Sequence, residues 1–295
     1  MRRKTLIVRF KGGLGNQMFQ YAFYKKLESL NPAREVLADL TWYDNQDVKF
    51  VLSNVFPGVA LKCDEKGKMR KEYEQKHKNR NFFVKVIHKI FPLCRFKLAE
   101  KEDGVFQEEI LNYRRGVLEG YWQTTKYWET IDENIITDFS FTKANDQKLK
   151  DFLELIQRDD TVSVHIRRGD YLLPENQALF GDICTLEYYE RAIAYMHSQI
   201  ENVKFVFFTN DVEWVKEHFD IKDAIFATDY MEGETPDWCD MYMMSQCKHH
   251  IIANSTFSWW GAYLGKNASK IVIAPAKWLN GKSTKDIWQE KWIKL

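Results

Sequence analysis

The sequence predicts an α/β protein built on parallel sheets. Three observations carry that expectation. The chain opens on a strand, a glycine turn and a helix; its second half alternates short apolar runs with helical patterns; and its most chemically loaded residues fall directly after strand-like runs. Residues 5–10 are apolar enough for a buried strand. Gly12-Gly-Leu-Gly15 makes the turn, and residues 16–29 carry helical periodicity. A second strand is expected at 36–40 and another at 116–120. In the second half the expected helices are 147–158, 186–201, 211–219, 237–247 and 256–264. The strands between them are 161–166, 204–208, 224–227, 250–253 and 270–274. Such alternation demands right-handed crossovers and a parallel sheet. A domain boundary is expected near 140–155, giving domains 1–150 and 151–295. Neither internal repeats nor low-complexity tracts are visible.

Bulk properties exclude several classes. A length of 295 residues suits one large or two medium domains. With 45% apolar and 29% charged residues the composition is that of a soluble globular protein. A net charge of +1 gives no global attraction to nucleic acid. That charge is unevenly spread: residues 66–97 carry +9 and the remainder −8. Within this basic insert, residues 82–91 mix apolar and basic side chains at helical spacing, as a membrane-surface helix does. Peripheral contact with an anionic membrane is one expectation for 66–97, and a solvated segment packed by its apolar side is the other. Five cysteines without framework spacing, no signal-peptide pattern and no run of ~20 apolar residues point to a reducing cytoplasm. Ten tryptophans are many. A pyranose lays its apolar face on such rings, although most are expected in the core.

In a parallel sheet, ligands bind beyond the carboxyl ends of the strands. After the run ending at Ile166 come Arg167, Arg168, Gly169 and Asp170. Guanidinium forks pair with phosphate oxygens and stay charged, so Arg167 and Arg168 suit a pyrophosphate. A surface ion pair is the competing account. Asp170 can hold one arginine in place. After 250–253 come Asn254, Ser255, Thr256, Phe257 and Ser258. Asn254 or Ser255 either caps the next helix or offers, with its free amides, an anion site. Asp240 precedes that strand on a helix. It is either solvated or placed to accept from the N1–H and N2–H edge of guanine. Asn210 and Asp211 either bind ribose or sugar hydroxyls or start a helix. Asn16 and Gln17 either reach a sugar or cap their own helix. The glycine turn is neither a P-loop nor a dinucleotide fingerprint. No Asp-x-Asp triplet occurs, and Cys239, Cys247, His249 and His250 lack structural-zinc spacing. No metal site is therefore expected.

Four segments together give a more specific reading: Gly12-Gly-Leu-Gly-Asn-Gln-Met-Phe-Gln-Tyr-Ala22, Gly120-Tyr-Trp-Gln123, His165-Ile-Arg-Arg-Gly-Asp-Tyr171, and Cys247-Lys-His-His-Ile-Ile-Ala-Asn-Ser-Thr-Phe-Ser-Trp-Trp-Gly-Ala262. With them the chain resembles the bacterial α-1,2-fucosyltransferases of glycosyltransferase family 11 over nearly its whole length. The resemblance implies two Rossmann-like domains facing a cleft (GT-B-like) and metal-independent, inverting chemistry. GDP-β-L-fucose would bind 151–295, and a galactose-containing glycan acceptor would bind 1–150. It further implies Arg167 on the β-phosphate, His165 beside the nucleotide, Asp240 on guanine, Ser255 to Ser258 on the diphosphate and Asn16 near the reacting sugar. The chain departs at Thr209-Asn210-Asp211, where similar sequences more often read Ser-Asp-Asp. A base would take the acceptor proton, with Asp39, Glu119 and Asp170 as candidates near strand ends. Gln17 and Trp122 complete the expected acceptor side. Action in surface-polysaccharide synthesis, in the cytoplasm or at the inner face of the membrane, fits that reading. Rival readings are another GDP-sugar or linkage on the same fold, a non-catalytic carbohydrate-binding protein and, more distantly, a nicotinamide oxidoreductase.

Overall fold

The computed structural model describes residues 5–78, 96–141, 147–219, 221, 224–230 and 236–295, without the side chains of His77, Asp170 and Leu172. The chain forms two compact units. Unit 1 is Met1–Phe141 with Ser283–Ile287, and unit 2 is Thr142–Lys282 with Trp288–Leu295. The division falls at 141/142. A short segment near residue 285 also belongs to unit 1, which no composition shift announces.

Unit 1 holds a four-stranded sheet in the order β2-β1-β4-β3. Its strands are β1 (Thr5–Arg9), β2 (Glu35–Asp39), β3 (Lys97–Ala99) and β4 (Gly116–Glu119), all paired in parallel. Central β1 is apolar through Leu6, Ile7 and Val8, all fully buried, as a strand covered on both faces must be. Helix Leu14–Leu30 follows it. Met18, Phe19, Ala22, Phe23 and Leu27 on that helix are fully buried. The three-residue β3 escaped the sequence reading because it lies at the end of the basic insert. Of that insert, helix Lys68–Lys78 is described, and the amphipathic run 82–91 lies outside the described residues. Arg70 turns inward from this helix onto Asp39 and Glu74, so part of the insert's positive charge is internal to unit 1.

Unit 2 holds six parallel strands in the order β10-β9-β8-β5-β6-β7. They are β5 (Thr161–Ile166), β6 (Lys204–Thr209), β7 (Ile225–Phe226), β8 (His249–Ile251), β9 (Val272–Ala274) and β10 (Ile293–Lys294). Alternation along β6 sorts the core. Phe205 and Phe207 pack with helix Leu186–Gln199 through Tyr188, Tyr189 and Met196. Val206 and Phe208 pack on the other face with helices Gln147–Arg158 and Trp238–Gln246. The first of these helices buries Leu149, Phe152 and Ile156, an i, i+3, i+7 stripe. Counted from β5, the strand order is 3-2-1-4-5-6, the doubly wound Rossmann arrangement. In sequence β8 lies several elements beyond β5, yet in space the two are direct neighbours. The order reverses between them, so the loops after β5 and β8 open on the same crevice.

Candidate active site

At the switch point of unit 2, each loop residue has a definable job. His165 is the penultimate residue of β5, with its ring buried beside the Phe257 ring at 6.0 Å between centroids. Its carbonyl accepts from the Tyr189 hydroxyl at 3.0 Å. Burial, with the neighbouring Arg167 charge, pushes its imidazole down to about 3. It is therefore neutral at physiological pH. Arg167 is exposed, and its guanidinium carbon sits 5.9 Å above the Tyr171 ring. The Tyr171 hydroxyl donates to the Asn254 carbonyl at 3.1 Å. Tyr171 thus ties the arginine loop to the turn after β8.

That turn leads into helix Thr256–Tyr263. Ser255 is its N-cap, and its Oγ accepts from the Phe257 amide at 3.4 Å. No acidic residue occupies the first turn, so the helix's own first turn does not compensate the positive end of its dipole. Thr256 and Phe257 are half-buried there. Asp240, half-buried on helix Trp238–Gln246, has its carboxyl pushed up to about 7 by burial and by Asp237. A carboxylate held at that cost gains from a ligand that brings hydrogen-bond donors.

Other expected binders are occupied. Asn254 is buried, and its amide donates to the carbonyls of Phe180 and Trp278, both at 3.2 Å, while its Oδ1 accepts from Cys184 Sγ. It stitches the loops rather than facing a ligand. Ser258 is fully buried and donates to backbone carbonyls. Arg168 pairs with Asp211 at 3.0 Å and stacks 4.1 Å over Trp214. Asp211 in turn caps the next helix by accepting from the Trp214 amide. Asn210 accepts from the Arg168 amide at 3.3 Å. The twin arginines therefore differ in surroundings: Arg168 is held by Asp211 and Trp214, and Arg167 is exposed beside the Tyr171 ring. Asp170 lies on the turn Gly169–Leu172, and its side chain is outside the described residues.

Unit 1 corrects the acceptor-side expectations. Asp39 is fully buried, forms ion pairs with Arg70 at 2.8 Å and Arg9 at 3.8 Å, and accepts from Thr41. Glu119 is paired with Arg9 at 2.9 Å and Lys97 at 2.6 Å, and these cations hold its carboxyl low despite burial. Both carboxylates are engaged by cations of their own unit. Gln17 is fully buried and spends its amide on Gly12, Lys49, Val51 and Leu52. Trp122 is fully buried and stacked on Phe23 at 4.2 Å, so it offers no platform to a sugar. Asn16 is half-buried, and its Oδ1 accepts from Gln123 Nε2 at 2.9 Å. Glu100 and Lys11 were not singled out from the sequence, yet with Gln123 of the Gly120–Gln123 segment they gather at the carboxyl edge of this sheet. Among the described residues, no group of three or more His, Cys, Asp or Glu could hold a metal ion, and no helix is long and apolar enough to cross a membrane.

Two parallel α/β units, one with a cationic loop and a helix N-terminus at its switch point, make a GT-B-like fold with a candidate anion site. The model of glycosyl transferase family 11 matches residues 2–295, and the chain belongs to that family of glycosyltransferases. An Escherichia coli alpha-1,2-colitosyltransferase is 34% identical, covering 98% of both chains. The Escherichia coli O-antigen biosynthesis glycosyltransferase WbnK is 30% identical over 96% of this chain and 98% of its own. Human galactoside alpha-(1,2)-fucosyltransferase 1 is 39% identical over 105 residues, 35% of this chain and 28% of that one. Among solved structures, the fucosyltransferase NodZ from Bradyrhizobium shares the fold, with a TM-score of 0.50 over 90% of this chain and 94% of that one, at 14% identity.

Proposed function

We propose that the protein transfers L-fucose from GDP-β-L-fucose to the 2-OH of a terminal galactoside with inversion, in surface-polysaccharide synthesis. The observation that carries this reading is the convergence of Arg167 and the Ser255 helix N-terminus on one switch point, bridged by Tyr171. Charge grows on the diphosphate as the sugar bond breaks, and a fixed cation plus aligned amides stabilise that charge more than the ground state. In this reading Asp240 takes the guanine edge, and neutral His165 lines the nucleotide without adding charge. Unit 1 takes the acceptor. Asn16 presents its amide N–H to the reacting centre, since its oxygen is held by Gln123. Arg167 makes the cation's role available to the protein itself, so transfer should continue in the presence of a chelator.

A second reading is favoured by the 34% relationship to a colitosyltransferase: the same site, with a GDP-sugar lacking the 3-OH of fucose. Transfer assays with GDP-fucose, GDP-colitose and GDP-mannose on a panel of galactosides, with linkage read by NMR, separate these readings. The first predicts an α-1,2-fucosylated product. A product from GDP-colitose alone selects the second. Absence of transfer from every GDP-sugar, with no thermal stabilisation by GDP, would sink both.

A further inference from the structure

The sheet of unit 1 has its own switch point, between β1 and β4, and a buried carboxylate next to it remains without a role. Glu100 follows β3. Its Oε2 accepts from the amides of Tyr121 at 2.7 Å and Trp122 at 3.1 Å. The turn it grips is unusual. Trp122 has φ +58°, a left-handed conformation costing a bulky residue roughly 1–2 kcal/mol. Gly120 is required beside it, because a Cβ there would lie 2.7 Å from the Glu100 side chain. The next residue, Gln123, donates to Asn16 across the switch point at 2.9 Å. Gly12 keeps room on the far side, since its own Cβ would fall 2.7 Å from Asn16 Nδ2. One connected path therefore runs from Glu100 through the 121–123 backbone to the Asn16 amide.

We propose that Glu100 is a positioning residue for sugar transfer: its ionised carboxylate holds the left-handed turn that aims Gln123, and through it Asn16, at the reacting centre. The proposal rests on Asn16 facing that centre. Glu100 Oε1 is buried without a hydrogen-bond partner, and it is Oε2 that grips the turn. An ionised acceptor grips two N–H groups about twice as strongly as a neutral one. Protonation would slacken the turn without removing any group from the site. Burial brings the Glu100 carboxyl up to about 7 against the pull of those two amides, with Asp103 raising it and Lys11 lowering it. Lys11 approaches from the loop after β1, 4.2 Å above the Tyr121 ring. The remaining titratable groups facing Glu100 are the phenols of Tyr121 and Tyr127, both pushed upward by burial and uncharged in this range. The switch therefore belongs to the carboxyl.

The test measures kcat at saturating GDP-sugar and acceptor from about pH 5.5 to pH 8.5, for wild type, Glu100→Gln and Gln123→Ala. Wild-type kcat should rise through an apparent pKa near 7. Glu100→Gln should be flat at the wild-type acid level, about fivefold below the alkaline plateau, with Kd for GDP unchanged. Gln123→Ala should also flatten the limb, because it cuts the path while leaving Glu100 in place. An acid limb that persists in either folded variant overturns the proposal. Because the reference is the wild-type rate itself, absence of any transfer would count against the fucosyltransferase reading, whereas transfer with an unaltered limb counts against Glu100 alone.

Discussion

Asp240 offers the sharpest quantitative test of the donor site. Its folded carboxyl is raised to about 7 by burial first and Asp237 second. Guanine presents two donors; a carboxylate accepts from both and a carboxylic acid from only one, without charge, so the ionised form is the strong-binding form. The apparent Kd then scales with one plus the protonated-to-ionised ratio. Between about pH 8 and pH 6 affinity should fall ~10-fold. The sign is fixed: a raised carboxyl pKa means acid weakens binding, and bound ligand pulls the pKa back down. GDP-fucose is the right probe, because its substituted diphosphate has no ionisation in this window, whereas the terminal phosphate of GDP does. His165, near 3, does not titrate here either. Asp240→Asn removes the charge and one acceptor, worth about 2–3 kcal/mol, or ~30- to 150-fold at pH 8, and leaves affinity independent of pH. Isothermal titration at four pH values decides the matter. Equal affinity and equal slope in wild type and Asp240→Asn would refute guanine recognition by this residue.

Three further outcomes are expected. Arg167→Ala should lower kcat about 10²–10³-fold, ~3–4 kcal/mol of barrier, with GDP-induced stabilisation partly retained; near-normal kcat would remove Arg167 from the mechanism. His165 has a folded pKa depressed below its unfolded value, so its neutral burial contributes stability that is lost as pH falls below about 6.5. By pH 5 the loss from this group is about 2 kcal/mol, and urea titrations of His165→Asn should show a pH 7-to-5 decrease smaller by that amount. Gln17→Ala should cost about 3 kcal/mol of stability by leaving buried amides unpaired and leave the acceptor KM unchanged at a permissive temperature; a selective rise in KM would restore Gln17 to the acceptor site.

Strands carried by local pattern were legible in the sequence. The run at 161–166 is apolar along its whole length, and the residues after it stand at the ligand edge by the geometry of any parallel sheet. Partnering across strands was not legible. Asp39 and Glu119 each end a strand, as a base would, but Arg70, Arg9 and Lys97 come from other segments and neutralise them. Arg167 and Arg168 are adjacent in sequence, yet Arg168 is held by Trp214 and Asp211 from beyond the next strand, whereas Arg167 lies over Tyr171. Trp122 carried a sugar-stacking expectation from its type. A left-handed backbone at a tryptophan has no sequence signature, and that turn buries the ring. Glu100 was missed because the three-residue strand before it is too short to show a period. The pairing Gly120-to-Glu100 is a signal only in three dimensions.

Ser283–Ile287 completes unit 1 from a distance. Asp286 accepts from the Phe106 amide at 2.9 Å and pairs with Lys126 at 2.6 Å, and Ile287 is fully buried. A ribosome making this chain therefore releases most of the first unit while its last piece does not yet exist. Apolar surface around Ile287's seat stays wet until Thr142–Lys282 has been synthesised. The unit translated first thus waits for a piece made almost at the end, and a gene fragment cut at the 141/142 junction would encode a domain lacking that piece.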